Sequence, residues 1–126
     1  VKDFKIDATN QTPQVHISYE RGHILIRGRS FSEDSPKFFA TVFTEADKYF
    51  AATKKNTIIE LCFEYFNSSS YKLIINLLLQ AKKAISEDNT ITVKWCYEED
   101  DDDILNLGKE TERLTQLKFE YYPIAE

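Results

Sequence analysis

Asn67, Ser68, Ser69 and Ser70 set one carboxamide and three hydroxyls in a row. They stand between a β-patterned run that ends near Tyr65 and a helix-patterned stretch that begins at about Ser69. The first turn of a helix has backbone N–H groups without partners, and the macrodipole puts partial positive charge there. Such an end takes a capping oxygen from Asn or Ser, or an external anion such as a phosphate group. The alternative reading of a serine hydroxyl in this place is a phosphorylation site. Phosphorylation adds about −1.5 to −2 charges at neutral pH and three strong acceptors. The helix end can hold that group with little rearrangement, while an acidic or apolar docking face on a partner is repelled. Local rules alone already account for the tetrad as a helix cap.

Other reactive side chains have plain explanations beside them. Glu33 and Asp34 precede a helix and complement its dipole, or they border Ser68 and contact a kinase or target. Asp100 to Asp103 lack the alternating ligands, central glycine and distal Glu of an EF-hand, which leaves a solvated cap or an acidic docking surface. Cys62 and Cys96 each lie inside an apolar run and read as small buried hydrophobes in a reducing compartment. His16 and His23 are far from them in sequence, so no metal site and no cofactor is expected.

Catalysis finds little support. There is no G-x-x-x-x-G-K-[ST] loop and no G-x-S-x-G elbow, and only three glycines are present. Ser68 has no base visible in its neighbourhood of the sequence. A formal net charge of −5 disfavours nucleic acid as a partner. No signal peptide and no apolar run long enough to span a bilayer is visible, so no membrane insertion is expected and the cytoplasm is the default location.

The elements that must position the tetrad follow from periodicity. The chain has 126 residues, of which 42% are hydrophobic, enough for one domain with a real core. Residues 1–12 are polar and read as a loose lead-in to that domain. Val15, Ile17 and Tyr19 alternate with polar residues, and Ile24 and Ile26 do so after the Arg21-Gly22 turn, which predicts a β-hairpin ending near Gly28. A helix is expected from Ser35 to Thr53, with Ser35 as N-cap, Pro36 as first helical residue, and Phe39, Val42, Phe43, Ala46 and Phe50 on one face. Lys54-Lys55-Asn56 turns the chain. Strands are expected over Thr57–Tyr65 and Thr90–Tyr97, a helix over Ser69–Ser86, a third helix up to about Gln116, and a short final strand over Lys118–Tyr122. The fold class is therefore α/β, a single-domain mixed sheet with an N-terminal hairpin and parallel crossovers, packed with helices.

The helix after the tetrad is unusually apolar. Ile74, Leu78, Ala81 and Ile85 form a core stripe flanked by Leu73, Leu77 and Ala84, while Ile75 and Leu79 extend the apolar surface around the other side. Such a helix is either deeply buried or offers a face to a partner. The second reading places Tyr71, Ile75 and Leu79 in an interface beside the tetrad.

Four segments together resemble the SiaC family of bacterial regulatory phosphoproteins, whose fold is similar to the STAS domains of anti-sigma-factor antagonists. Gly28-Arg29-Ser30-Phe31-Ser32-Glu33-Asp34 is similar to that family's G-x-S-Y-P-E-N segment. Tyr65 to Ser70 is similar to its Y-F-N-T-S-S segment, Val93 to Tyr97 to its V-x-W-x-Y strand, and Asp101 to Ile104 with Gly108 to its acidic D-x-D-M…G run. The resemblance implies that a protein kinase phosphorylates, and a phosphatase dephosphorylates, the position held here by Ser68, with Ser69 as second choice. Asn67, Ser69 and Ser70 would cradle the phosphate. It implies further that the unmodified protein binds and regulates an output protein, a diguanylate cyclase in the best-known system. This chain departs from the family pattern in having serine at the acceptor position, and Ser32 and Asp34 in place of Pro and Asn. The competing reading is a constitutive scaffold or oligomerisation domain that associates through Ile75 and Leu79.

Overall fold

The computed structural model describes residues 3–53 and 56–125. Among them the chain forms β1 (Phe4–Ile6), β2 (Gln14–Ser18), β3 (His23–Ser30), α1 (Ser35–Ala52), β4 (Thr57–Phe66), α2 (Ser68–Lys83), β5 (Ile91–Glu98), α3 (Asp102–Thr115) and β6 (Lys118–Ile124). The six strands lie side by side in chain order. β1, β2 and β3 are antiparallel neighbours, and β3 to β6 run parallel. The hairpin and the parallel crossovers follow the alternation in the sequence.

Each crossover steps one strand in the same direction. Right-handed crossovers of that kind put α1, α2 and α3 on one face of the sheet. Burial alternates accordingly. Val15, Ile17, Ile24, Ile26, Ile59, Leu61, Val93 and Trp95 are buried with Phe39, Val42, Ala46, Tyr49, Ile74, Leu77, Leu78 and Ala81 of the helices. Among the described residues the opposite face has no helix over it. Across that face His16 pairs with Leu25, Leu25 with Glu60, Glu60 with Lys94, and Lys94 with Glu120. The next row is Gln14, Arg27, Cys62, Cys96 and Tyr122.

Several boundaries differ from the expectation. The lead-in over residues 1–12 contains β1, because Phe4 and Ile6 pack at the edge of the core and the intervening Lys5 points away. Ser35 is not the N-cap of α1. Asp34 holds that position without a side-chain cap bond, and Ser35 is the first helical residue. Its hydroxyl turns back to donate to the Ser32 carbonyl at 2.7 Å. Lys54 and Lys55 of the expected turn lie outside the described residues. Ile85, expected in the core stripe of α2, is 42% exposed because the helix ends at Lys83. Tyr65, the last residue of the expected strand, is 54% exposed. A bulge at Gly28/Arg29 shifts the register there and sets Arg29 opposite Tyr65. Gly28 supplies the left-handed backbone, φ 121°, next to that shift.

Gly108 has a packing reason. It is the buried contact point of α3 on the indole of Trp95, where a Cβ would come within 2.6 Å of Nε1. The indole N–H donates to the Ile104 carbonyl at 3.0 Å. The acidic run begins the same helix: Asp101 caps it by accepting from the Ile104 amide at 3.0 Å, and Asp102 and Asp103 fill the first turn.

Candidate phosphoacceptor site

β4 ends at Phe66 and α2 starts at Ser68, so Asn67 is the single residue of the junction. It is the N-cap, in extended conformation, and its Oδ1 accepts from the Ser70 amide at 2.9 Å. Its own amide donates to the Ser30 carbonyl at 3.1 Å, which ties the end of β3 to the start of α2. The cap is therefore Asn67, and none of the three serines serves as one.

The serines divide sharply. Ser70 is fully buried, and its Oγ meets Ser30 Oγ at 2.8 Å and Ser35 Oγ at 3.2 Å. Ser68 and Ser69 are exposed, and among the described residues their hydroxyls and amides make no hydrogen bond across this turn. The expected cradle of Asn67, Ser69 and Ser70 is thus altered. The Ser70 hydroxyl points into a buried cluster, and its amide already belongs to Asn67. Among the described residues, the amides of Ser68 and Ser69 are the ones left without a partner at this helix end.

The expected docking residues also separate. Glu33 and Asp34 are exposed in the loop from β3 to α1, whose ends Ser30 and Ser35 both touch Ser70. Ser32 Oγ, which stands where the resemblance has proline, accepts from the Asp34 amide at 3.1 Å and orders the loop. Tyr71 is half-buried; its hydroxyl meets Thr111 Oγ1 of α3 at 2.7 Å and its ring packs edge-on to Phe66. That makes it a structural contact between helices. Ile75 is half-buried and Leu79 is 40% exposed. Counting along α2, Ser68, Lys72, Ile75 and Leu79 recur at i, i+4, i+7 and i+11, so they share one stripe of the helix. On either side of that stripe, Gln80 donates to the Phe43 carbonyl of α1 and Lys82 to the Gln116 carbonyl after α3, both at 2.9 Å.

The family model of the SiaC family regulatory phosphoproteins matches residues 6–124. The chain belongs to this family. The SiaC fold accounts for all of the described elements. Apo-SiaC from Pseudomonas aeruginosa superposes with a TM-score of 0.86 at 22% identity, covering 97% of this chain and 99% of that one. The complex of the P. aeruginosa diguanylate cyclase SiaD with its activator SiaC gives a TM-score of 0.88 at 22% identity, with 98% and 100% covered. An uncharacterized protein of P. aeruginosa strain UCBPP-PA14 is 23% identical over 110 residues, 87% of each chain. At such identities the structural likeness establishes the mixed α/β fold, and the family match establishes a regulatory protein.

The SiaC-family chain has a second cluster that periodicity could not bring together. His23 Nε2 lies 3.0 Å from Glu60 Oε1 on the open face of the sheet. Glu60 Oε2 lies 3.4 Å from Cys62 Sγ and 3.9 Å from Cys96 Sγ. Burial pushes the Glu60 carboxyl up, but bonds from Cys62 and His23 and the nearby Lys94 charge outweigh it and hold the group below its ordinary value. The histidine that looked remote in sequence is beside the cysteines' carboxylate because β3 and β4 pair in parallel. Ser30 and Ser35 were the other residues missed. Ser30 stands in the Gly28-to-Asp34 segment and Ser35 reads as a helix cap, and neither position tells that its hydroxyl reaches Ser70.

Proposed function

We propose that this protein is a phosphorylation-switched binding module, in which Ser68 accepts phosphate and the unmodified form binds and regulates an output protein. The observation that supports this reading is the contrast within the tetrad. Ser70 is buried and bonded, whereas Ser68 is exposed and unbonded at the first position of α2. Ser69 is the second acceptor. A phosphate on Ser68 lies against unpartnered amides at the positive helix end. It also adds charge to the stripe that holds Ile75 and Leu79. A partner seated on that stripe then meets a dianion.

The matching SiaC from P. aeruginosa is described as the activator of the diguanylate cyclase SiaD. A diguanylate cyclase is accordingly the first output protein to test. Glu33 and Asp34, on the loop tied to Ser70, are the proposed contacts for kinase or target. A protein kinase and a phosphatase complete the cycle, and the cytoplasm is its proposed setting, where Cys62 and Cys96 remain thiols. The action is binding rather than catalysis.

The test is intact mass of the protein isolated from its host, before and after phosphatase, followed by fragment mapping. Phosphate on Ser68 or Ser69 is expected. Its absence under every condition in which the host kinase is active would sink the switch. Ser68→Asp should weaken output binding about tenfold or more, about 1.4 kcal/mol, while Ser68→Ala retains it. Light scattering separates the scaffold reading: a stable dimer dissociated by Ile75→Glu would favour constitutive association.

A further inference from the structure

We propose that Glu60, Cys62 and Cys96 form a binding site for one thiophilic divalent cation of the zinc class on the open face of the sheet. Three features of the fold build it. Cys62 and Cys96 are directly opposite on the neighbouring parallel strands β4 and β5. Glu60 is two residues before Cys62, so the period of the strand puts both side chains on one face. The face is the one without helices.

The donor atoms are already at ligand spacing. One ligand atom from each of the three residues lies within 4.8 Å of the other two. The carboxylate-to-sulfur distances are 3.4 and 3.9 Å. A tetrahedral ion with bonds of about 2.3 Å to sulfur and about 2.0–2.2 Å to oxygen separates its ligand atoms by roughly 3.5–3.8 Å. Closing the site takes only small side-chain rotations. Both cysteines are buried and the Glu60 side chain is 15% exposed, so the donors are shielded from competing water.

The surroundings complete the case. His23 holds Oε1 of Glu60 and leaves Oε2 turned to the sulfurs, a positioning role for a ligating carboxylate. Arg27 and Lys94 lie 3.8 and 4.0 Å from the carboxylate and offset the negative charge of two thiolates and a carboxylate around a dication. A cleft of about 350 Å³ bordered by Arg27, Cys62, Cys96, Glu98 and Ile124 gives access from solvent. Three protein ligands leave the fourth position to water or to a donor from a partner. The site lies on the face opposite the helices and does not depend on Ser68.

The test uses the full chain, reduced and stripped of metal, titrated with Co²⁺ as a spectroscopic probe and then with Zn²⁺. One equivalent of Co²⁺ should give thiolate charge-transfer absorption and the intense visible bands of a tetrahedral ion, both displaced by Zn²⁺. Cys62→Ser or Cys96→Ser should reduce the charge-transfer band by about half and weaken binding at least tenfold. His23→Gln should weaken it about 10–100-fold while leaving the spectrum tetrahedral. Should the cysteine variants fail to fold, Zn²⁺ protection of both wild-type thiols against alkylation gives the same information. Weak octahedral bands without charge transfer overturn the proposal, as does unchanged binding by the double cysteine variant or absence of protection. Protein isolated without reductant that lacks titratable thiols and regains both on reduction would assign the pair to a disulfide instead.

Discussion

Ser30 donates its hydroxyl to the hydroxyl of Ser70 at 2.8 Å, and both residues are buried. The contact joins the end of β3 to the first turn of α2, and Ser35 at the start of α1 reaches the same oxygen at 3.2 Å. Three elements thus meet on one hydroxyl beneath the exposed Ser68. Ser70→Ala removes a buried partner of two hydroxyls and should cost about 1–3 kcal/mol in urea unfolding. Coupling between Ser30→Ala and Ser70→Ala, measured in a double-mutant cycle, should be about 1 kcal/mol. Strict additivity would mean the bond does not contribute.

The cap Asn67 and the proposed acceptor Ser68 should separate in the same assay. Asn67→Ala loses the bond to the Ser70 amide and should destabilise by about 1 kcal/mol. Ser68→Ala touches no bonded group and should fall within about 0.5 kcal/mol of the parent. Equal losses would show that Ser68 has a structural task.

Gly108→Ala puts a methyl group against the Trp95 indole, where the nearest atoms are 2.6–2.7 Å away. Overpacking of this kind should cost about 1–3 kcal/mol. Because Trp95 is the chain's one tryptophan, its fluorescence reports the displacement directly. An unchanged emission spectrum and midpoint would contradict the contact.

Leu79→Glu places a charge on an exposed part of the stripe shared with Ser68. Thermal stability should change little, while binding to the output protein should fall about tenfold or more, about 1.4 kcal/mol. Unchanged affinity would move the docking face elsewhere.

Alkaline pH should unfold the protein through tyrosines. Burial pushes both Tyr49 and Tyr121 up; Thr57 beside Tyr49 opposes this in part, while for Tyr121 the hydrogen bond to Glu112 at 2.7 Å adds to it. A raised folded-state pKa gives stability that is complete below the unfolded value, near 10, and lost as pH rises beyond it. Tyrosinate absorbance should therefore lag in the native state and appear together with loss of secondary structure. Tyr121→Phe should move that transition to higher pH; movement to lower pH would reverse the sign of the argument.

The alternation of Val15, Ile17, Ile24 and Ile26 and the spacing of Phe39, Val42 and Ala46 made the hairpin and α1 legible, because each pattern is set by burial on one side. β1 was not legible, since three residues cannot show a period and Lys5 interrupts them. The tetrad's position at a strand–helix junction was visible. Its division into a buried Ser70 and an exposed Ser68 was not, because that depends on Ser30 and Ser35 arriving from other elements. The cluster of Glu60, Cys62, Cys96 and His23 is a matter of strand register, and a sequence states the faces of its strands without stating which residues stand opposite.

The strands of the sheet lie in the order in which they are synthesised. Each pairs only with its immediate predecessor and successor, so no segment has to wait for a distant one. Assembly can proceed from the N-terminal hairpin outward as the chain leaves the ribosome, each helix closing over its strand pair in turn. The tetrad then becomes a finished surface once α2 docks, before β5 and β6 are added, so the strand–helix junction takes its final form on the nascent chain.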